Sequence, residues 1–294
     1  GGSASGLVYE TDKEKTLLSE YYDIYYNKGI LNGLNGTCID GSHLSEGYIH
    51  IGDFKYLTEV AIDEYFGEEI EFFYRHDEST GKNTVIWAKP TSKDTDTLFI
   101  EVNHNASFNK DTYTFTYEVN DREKRVKIDP TATVLYNGAI TGENLAELLV
   151  DGRYTVKLLS KNNSAYKTVI VKQCENYYVT GINSAQNIIY QSGNGLKTCE
   201  LNLNPDNYDN LTISLYGAAK SFADIQKGYV LSVFLSKDKK IAEVNIVTNK
   251  VTGMVENIDE DDYGKTITID NEELFMPKSA GGVIFSCGQE VTFY

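Results

Sequence analysis

From residue 29 onward, apolar and polar residues alternate in short runs. Tyr48-Ile49-His50-Ile51, Thr112 to Glu118, Arg125-Val126-Lys127-Ile128, Leu211 to Tyr216 and Thr266-Ile267-Thr268-Ile269 all carry the two-residue period of a strand that buries one face. Ahead of them, Thr16 to Lys28 sets Leu17, Tyr21, Ile24 and Tyr25 on one face and stops at Gly29. That pattern predicts a short amphipathic helix with a glycine stop signal.

One phrase recurs along the chain: a short helical or loop segment, a glycine, a strand, a polar turn and a return strand. Its first copy runs from Asp63 to Gly67, through Glu69 to Tyr74 and a turn at Asp77 to Gly81, to a return at Thr84 to Trp87. The second has Leu145 to Leu149, Gly152, Tyr154 to Leu159, a turn at Lys161 to Ser164 and Thr168 to Val171; the third has Phe222 to Ile225, Gly228, Val230 to Leu235, a turn at Lys237 to Lys239 and Ile241 to Val247. A fourth begins with Ile284 to Gly288 and Glu290 to Tyr294, so its strand pairs either with a return strand from a longer array or with a segment elsewhere in the chain.

Counting from the glycine, Ile70 and Phe72, Leu231 and Val233, and Val291 and Phe293 fall on one strand face, whereas copy two shifts the apolar set to Tyr154, Val156 and Leu158. A second phrase, Val179-Thr180-Gly181-Ile182 and Val251-Thr252-Gly253-Met254, precedes the later glycines, and Gly29 to Gly33 is similar to it. Together the phrases supply about five strands per unit, enough for a small curled sheet or barrel. The glycines at 67, 152, 228 and 288 are unevenly spaced, which argues for degenerate tandem units over a regular solenoid or propeller.

The expected fold is therefore mainly β: tandem small antiparallel β-barrel (SH3/OB-like) units with a short N-terminal helix and short connecting helices. The expected divisions are a leader and helix at 1–28, β units at 29–90, 91–173 and 174–250, and a partial unit at 251–294.

Composition sharpens this picture. With 22 Tyr and 12 Phe against 4 Pro and 1 Trp, the chain favours pleated, half-buried surfaces. Its 43 acidic and 27 basic residues give a formal charge of -16, the wrong sign for nucleic acid or anionic membranes. No run approaches the roughly 18 apolar residues of a membrane-spanning helix, and Gly1 to Gly6 reads as a flexible leader. Cys38, Cys174, Cys199 and Cys287 form no CxxC pair or zinc-spaced cluster, and buried free thiols are expected; four cysteines would otherwise allow three disulfide pairings.

Val251 to Val255 with Thr266 to Asn271, Asp224 to Gly228 with Val230 to Lys237, and Cys287 to Tyr294 resemble the repeat regions of large secreted surface proteins of Gram-positive bacteria. Val126 to Gly138 and Cys174 to Val179 are similar to them too, so the resemblance spans roughly residues 29 to 294. In that group such modules accompany S-layer homology domains, which anchor the protein to the cell wall. The resemblance implies an extracellular, cell-surface location and cell-surface or cell-wall partners. It carries no catalytic residues, and no S-layer homology domain is present in these residues.

For chemistry, the histidines are His43, His50, His76 and His104. His43 or His50 with Cys38 and Asp40 or Asp53 could in principle assemble a nucleophile, base and orienting carboxylate. The densest carboxylates are Glu68-Glu69-Ile70-Glu71 and Asp259 to Asp262; the latter and Asn204 to Asn210 offer oxygens for a possible Ca²⁺, without EF-hand spacing. Gly193-Asn194-Gly195 lacks the third glycine of a dinucleotide fingerprint. Sequons at Asn35, Asn105, Asn162 and Asn210 would matter only in a eukaryotic secretory pathway. No catalytic or cofactor-binding residue is assigned. The expected function is a non-enzymatic structural or spacer segment of a bacterial surface protein. The alternative is an adhesin-like binding module for glycan or protein through Tyr21-Tyr22, Tyr25-Tyr26 or Tyr177-Tyr178, with a hydrolase third.

Overall fold

The computed structural model describes residues 16–34, 36–42, 44–45, 47–91, 95–102, 106–119, 122–149, 154–161, 165–193, 196–248, 251–260, 264–277 and 286–293. The fold is mainly β, with two short α-helices among the described residues. The chain divides into two compact units, 1–97 with 161–163 and 98–160 with 164–294.

In the first unit a helix, α1 (Leu17–Tyr22), precedes β1 (Ile24–Leu34), β2 (Thr37–Cys38), β3 (Ile49–Ile51), β4 (Phe54–Thr58), a 3-10 turn at Asp63–Tyr65, β5 (Glu69–Asp77) and β6 (Lys82–Pro90). The helix is shorter than its periodicity implied. A capping box between Thr16 and Ser19 starts it, and Asp23 at φ 52° ends it, in the left-handed region that short polar side chains tolerate. Ile24 to Lys28 instead begin β1, where aromatic and β-branched side chains pair across strands, and Leu17 and Tyr21 stay exposed. β1 is shared: residues 24–30 pair antiparallel with β5, and residues 31–33 pair with β3. β3 pairs with β4, β4 runs parallel to β6, and β6 pairs with β5, so the pairings return to β1. Leu31, Ile49, Tyr56, Ile70, Phe72 and Val85 fill the interior.

The second unit opens within β7 (Thr95–Val102), and its first module continues with β8 (Ser107–Asn109), β9 (Thr114–Val119), β10 (Arg122–Tyr136), β11 (Ala139–Ile140), helix α2 (Leu145–Leu148), β12 (Tyr154–Lys161), whose last residue is assigned to the first unit, and β13 (Tyr166–Lys172). Its sheet order is β7-β12-β13-β10-β9-β8, with β10 parallel to β13. The next module has β14 (Glu175–Tyr178), β15 (Gly181–Asn183), β16 (Ile188–Gly193), β17 (Leu196–Asn202), β18 (Asn210–Leu215), β19 (Ala218–Ala219), β20 (Val230–Leu235) and β21 (Ile241–Val247). It forms the paths β14-β20-β21-β18-β19 and β15-β16-β17, with β18 parallel to β21. Last come β22 (Val251–Glu260), β23 (Gly264–Ile269), β24 (Glu272–Pro277) and β25 (Glu290–Phe293), in the order β24-β23-β22-β25.

Two expectations are thereby corrected. The sheets are mixed, because three of them contain a parallel pairing that no local signature announces. Nor do the modules all close on themselves. Among the described residues only the first ring of pairings returns to its starting strand; the others are open paths that follow one another in chain order, in the manner of a solenoid, which the uneven glycine spacing had seemed to oppose.

The recurring glycine has a definite task. Tyr65 to Glu68, Gln226 to Tyr229 and Ser286 to Gln289 are each closed by a backbone hydrogen bond from last residue to first, of 2.8, 3.2 and 3.0 Å. The third residue of each turn is Gly67, Gly228 or Gly288, at φ 87°, 89° and 82°. Such a turn needs the left-handed region at that place, and glycine enters it without a Cβ penalty.

The glycine N–H groups donate to the carbonyls of Leu31, Val179 and Val255, all at 2.8 Å. Those three residues donate back to Glu68, Tyr229 and Gln289 at 2.9 Å. All three are buried and sit where the first strand of a module leaves one partner for another. Val179 therefore corresponds to Val255, and the similarity of Val179-Thr180-Gly181 to Val251-Thr252-Gly253 is four residues out of structural register. The expected buried faces are present at Ile70, Phe72, Leu231 and Val233, and at Tyr154, Val156 and Leu158, whereas Val291 is only half-buried; Gly152 and the Phe293 side chain lie outside the described residues.

Candidate functional site

The Cys/His combination comes together at one corner of the first unit. β1, β2 and β3 meet there, and Gly33 is the register partner of both Cys38 and His50. A Cβ on Gly33 would lie 2.7 Å from Cys38 Sγ and 2.7 Å from His50 Cβ, so the absent side chain lets the two approach. Sγ lies 3.4 Å from His50 Nδ1.

The electrostatics of this corner favour a thiol hydrogen bond over an ion pair. Burial, followed by the nearby Lys55, pushes the His50 imidazole below its ordinary value, against a smaller pull from Asp40, so the ring is neutral at pH 7. Asp40 is occupied by Ser42, accepting its backbone N–H at 2.9 Å and its hydroxyl at 2.7 Å, which holds the carboxyl low. Cys38 is only 2% exposed. A nucleophilic thiol needs solvent access and a positive partner to hold its thiolate; Cys38 is closed off from solvent, and the imidazole beside it is neutral. Asp53 lies exposed in the turn after β3, His76 Nδ1 sits 2.8 Å from Asn83 Oδ1, and His43 and His104 lie outside the described residues.

All four cysteines are free. Only Cys38 is buried, while Cys174 and Cys287 are exposed and Cys199 is intermediate, which corrects the expectation of buried thiols.

The carboxylate-rich segments are committed elsewhere. Glu69 pairs with Lys28 at 2.8 Å and Glu71 with Lys89 at 2.6 Å. In the Asn204 to Asn210 loop, Asn204 Oδ1 accepts the Asp206 N–H at 3.2 Å and the Tyr208 hydroxyl donates to the Asn202 carbonyl at 2.6 Å. Of Asp259 to Asp262, the last two lie outside the described residues. Among the described residues no three metal-binding side chains converge. A polar cleft of about 470 Å³ opens at the end of β5, lined by Asp23, Glu59, Arg75, His76, Asp77 and Thr84 among others. Hydroxyl hydrogen bonds from Ser79 and Thr80 hold Asp77 at about 2.

The tyrosine clusters separate. Tyr21 and Tyr22 are exposed on α1. Tyr25 turns inward to stack on Tyr74 at 5.5 Å, whereas Tyr26 faces outward beside Phe73. Tyr177 and Tyr178 are half-buried, and burial with the Glu175 hydrogen bond raises the Tyr177 hydroxyl well above its ordinary value.

Two groupings escaped the sequence pattern. On the outer face of the first unit, Tyr26, Phe73 and Trp87 are register partners on three adjacent strands. In the second unit, the hairpin joining β10 to β11 carries Asn137 at φ 45° and Gly138 at φ 88°, the Asn-Gly pair of a tight two-residue turn. Asn137 is buried and reaches across the two-residue connection, Gln173-Cys174, between β13 and β14. Its Nδ2 donates to the Gln173 carbonyl at 2.8 Å and the Leu235 carbonyl at 2.9 Å, and its Oδ1 accepts the Gln173 N–H at 2.9 Å. Around it Lys237 lies 4.6 Å above the Tyr136 ring and pairs with Glu143 at 3.3 Å, and Lys172 pairs with Glu243 at 3.0 Å. The Asn-Gly dipeptide signals the turn, but nothing local signals that its side chain is spent on the next module.

No family model matches the chain, and no curated protein matches it. It is similar to a solved 1.40 Å crystal structure of a multidomain protein with nucleic acid binding domains from Streptococcus pneumoniae TIGR4. The identity is 12%, the match covers 79% of this chain and 76% of that one, and the TM-score is 0.15. A likeness of that size bears on neither fold nor function.

Proposed function

We propose that the chain is a non-enzymatic spacer segment of a bacterial cell-surface protein, built from tandem five-stranded units of OB-like strand order, which fixes the reach and direction of whatever it joins. Support for the unit type comes from the first ring of pairings. Its five main strands pair in the order first, second, third, fifth, fourth and back to first, with the third parallel to the fifth. β7, β9, β10, β12 and β13 repeat most of that order, as do β14 with β15, β16, β17 with β18, β20 and β21.

The observation that carries the spacer reading is the Asn137 clamp. A spacer transmits orientation only if consecutive modules cannot swivel, and here a buried side chain ties one module to the backbone of the next across a two-residue connection. The acidic surface keeps such an array soluble. The surface location rests on the resemblance of the repeat phrases, and the partners it implies are cell-wall or other surface components.

The test is protease treatment of intact cells of the producing bacterium, followed by immunodetection of residues 98–248. Loss of the epitope while cytoplasmic markers survive is expected. An epitope protected until the cells are lysed overturns the assignment.

A further inference from the structure

Beyond the spacer reading, we propose that the outer face of β1, β5 and β6 binds a soluble, linear, neutral polysaccharide, laid across the three strands along Tyr26, Phe73 and Trp87.

The rings stand in one row because register puts them there: Tyr26 is opposite Phe73, and Phe73 is opposite Trp87. Their centroids are 5.5 and 5.6 Å apart. Tyr26 is 45% and Trp87 41% exposed; single rings such as Phe54 are more exposed still, so it is the contiguity of the row that marks a contact surface. Aromatic rings attract the C–H faces of sugars, and a row at the pitch of adjacent strands offers one ring to each successive sugar. Phe73 is tilted 60° from Tyr26 and 54° from Trp87. Such a row suits a single twisted chain and cannot lie flat on a crystalline surface.

The flanks select the ligand class. The next row on the same face is Lys28, Glu71 and Lys89, again register partners. Lys28 pairs with Glu69, Lys89 pairs with Glu71 and lies 5.6 Å from the Trp87 centroid, and the Tyr26 hydroxyl donates to Glu71 at 3.0 Å. On the other side, Ile24, Arg75 and Thr84 are aligned. The face thus offers many hydrogen-bonding groups whose charges are largely neutralised in pairs, which complements hydroxyls and not phosphate or carboxylate. The Glu71 carboxyl, held low mainly by Lys89, stays ionised as an acceptor at neutral pH. A protein partner would need a broad contact, about 800 Å² on each side. This apolar strip is one ring wide.

Trp87 is the one tryptophan of the chain, so its emission reports this face alone. Full-length protein is titrated with cellohexaose, xylohexaose and chitohexaose, and separately with oligothymidylate. The expected result is a saturable change in Trp87 emission with at least one neutral hexasaccharide, insensitive to added salt. Tyr26→Ala should weaken it about tenfold, and Tyr26→Phe should leave it nearly intact. If Tyr26→Ala unfolds the first unit, Lys89→Ala gives the same reading through a several-fold weakening. No response to any of the three sugars overturns the proposal. So does binding that survives these variants, or a salt-sensitive preference for oligothymidylate. None of these failures touches the spacer reading, which rests on the second unit.

Discussion

Alanine at Gly228 isolates the conformational demand of the recurring turn. The residue sits at φ 89°, and a Cβ built there meets nothing within 4 Å, so substitution brings backbone strain without a clash. Placing an L-residue in the left-handed region costs about 1–2 kcal/mol. Alanine also restricts the unfolded chain, which returns about 0.4–1 kcal/mol. The net loss is about 1 kcal/mol, and for a unit of this size the melting temperature should fall by about 2–4 °C. Gly142, in the same unit, also has open space around it but does not occupy the left-handed region. Gly142→Ala therefore keeps only the unfolded-state gain and should raise the midpoint. Differential scanning calorimetry of the full chain reads both. Opposite signs are required; a Gly228→Ala variant as stable as the wild type, or shifted the same way as Gly142→Ala, would refute the turn as the source of the glycine's recurrence.

Removing the Asn137 side chain as Asn137→Ala strands two carbonyls and an N–H, at a cost of about 3 kcal/mol, and should lower the midpoint of the second unit by about 6–12 °C in a thermal melt. Asn137→Gly, which relaxes the backbone at φ 45°, should lose nearly as much, since the hydrogen bonds carry the effect. Burial, chiefly, raises the Tyr136 hydroxyl to about 12. Its folded value lies above the unfolded one near 10, so the stability it contributes is complete below pH 10 and lost as the pH climbs towards 12. Tyr136→Phe should flatten that part of the alkaline unfolding profile. Under native conditions a thiol reagent should label Cys287 first, Cys174 more slowly because desolvation raises its thiol, and Cys38 only at the rate of unfolding, as peptide mapping would show.

Alternation made most of the strands legible, because each buries one face: Ile241 to Val247 was readable to the residue. Ile24 and Tyr25 misled because one helical face and the start of a strand can share the same few apolar residues, and Asp23 carries no unmistakable stop signal. Cys38 with His43 or His50 was readable only as a combination that the chain could assemble. That His50 is the one that meets Cys38, and that the thiol is buried, depends on the strand that brings Gly33 against both. Tyr26, Phe73 and Trp87 are scattered along the sequence and become a row only when two registers are known. The clamp needed still more, since Asn137 and Leu235 belong to different modules.

The reciprocal bonds between Leu31 and Gly67, or Val179 and Gly228, also set a timetable for synthesis. The bend of a module's first strand is pinned by a turn that leaves the ribosome only after the second and third strands. Each of these modules thus emerges with its earliest strand waiting on a late partner, a non-local contact that must be reached before the chain is locked. An array of this kind matures in order from its N-terminus, and a pause in translation would be harmful just before a turn glycine and harmless just after the strand that follows it.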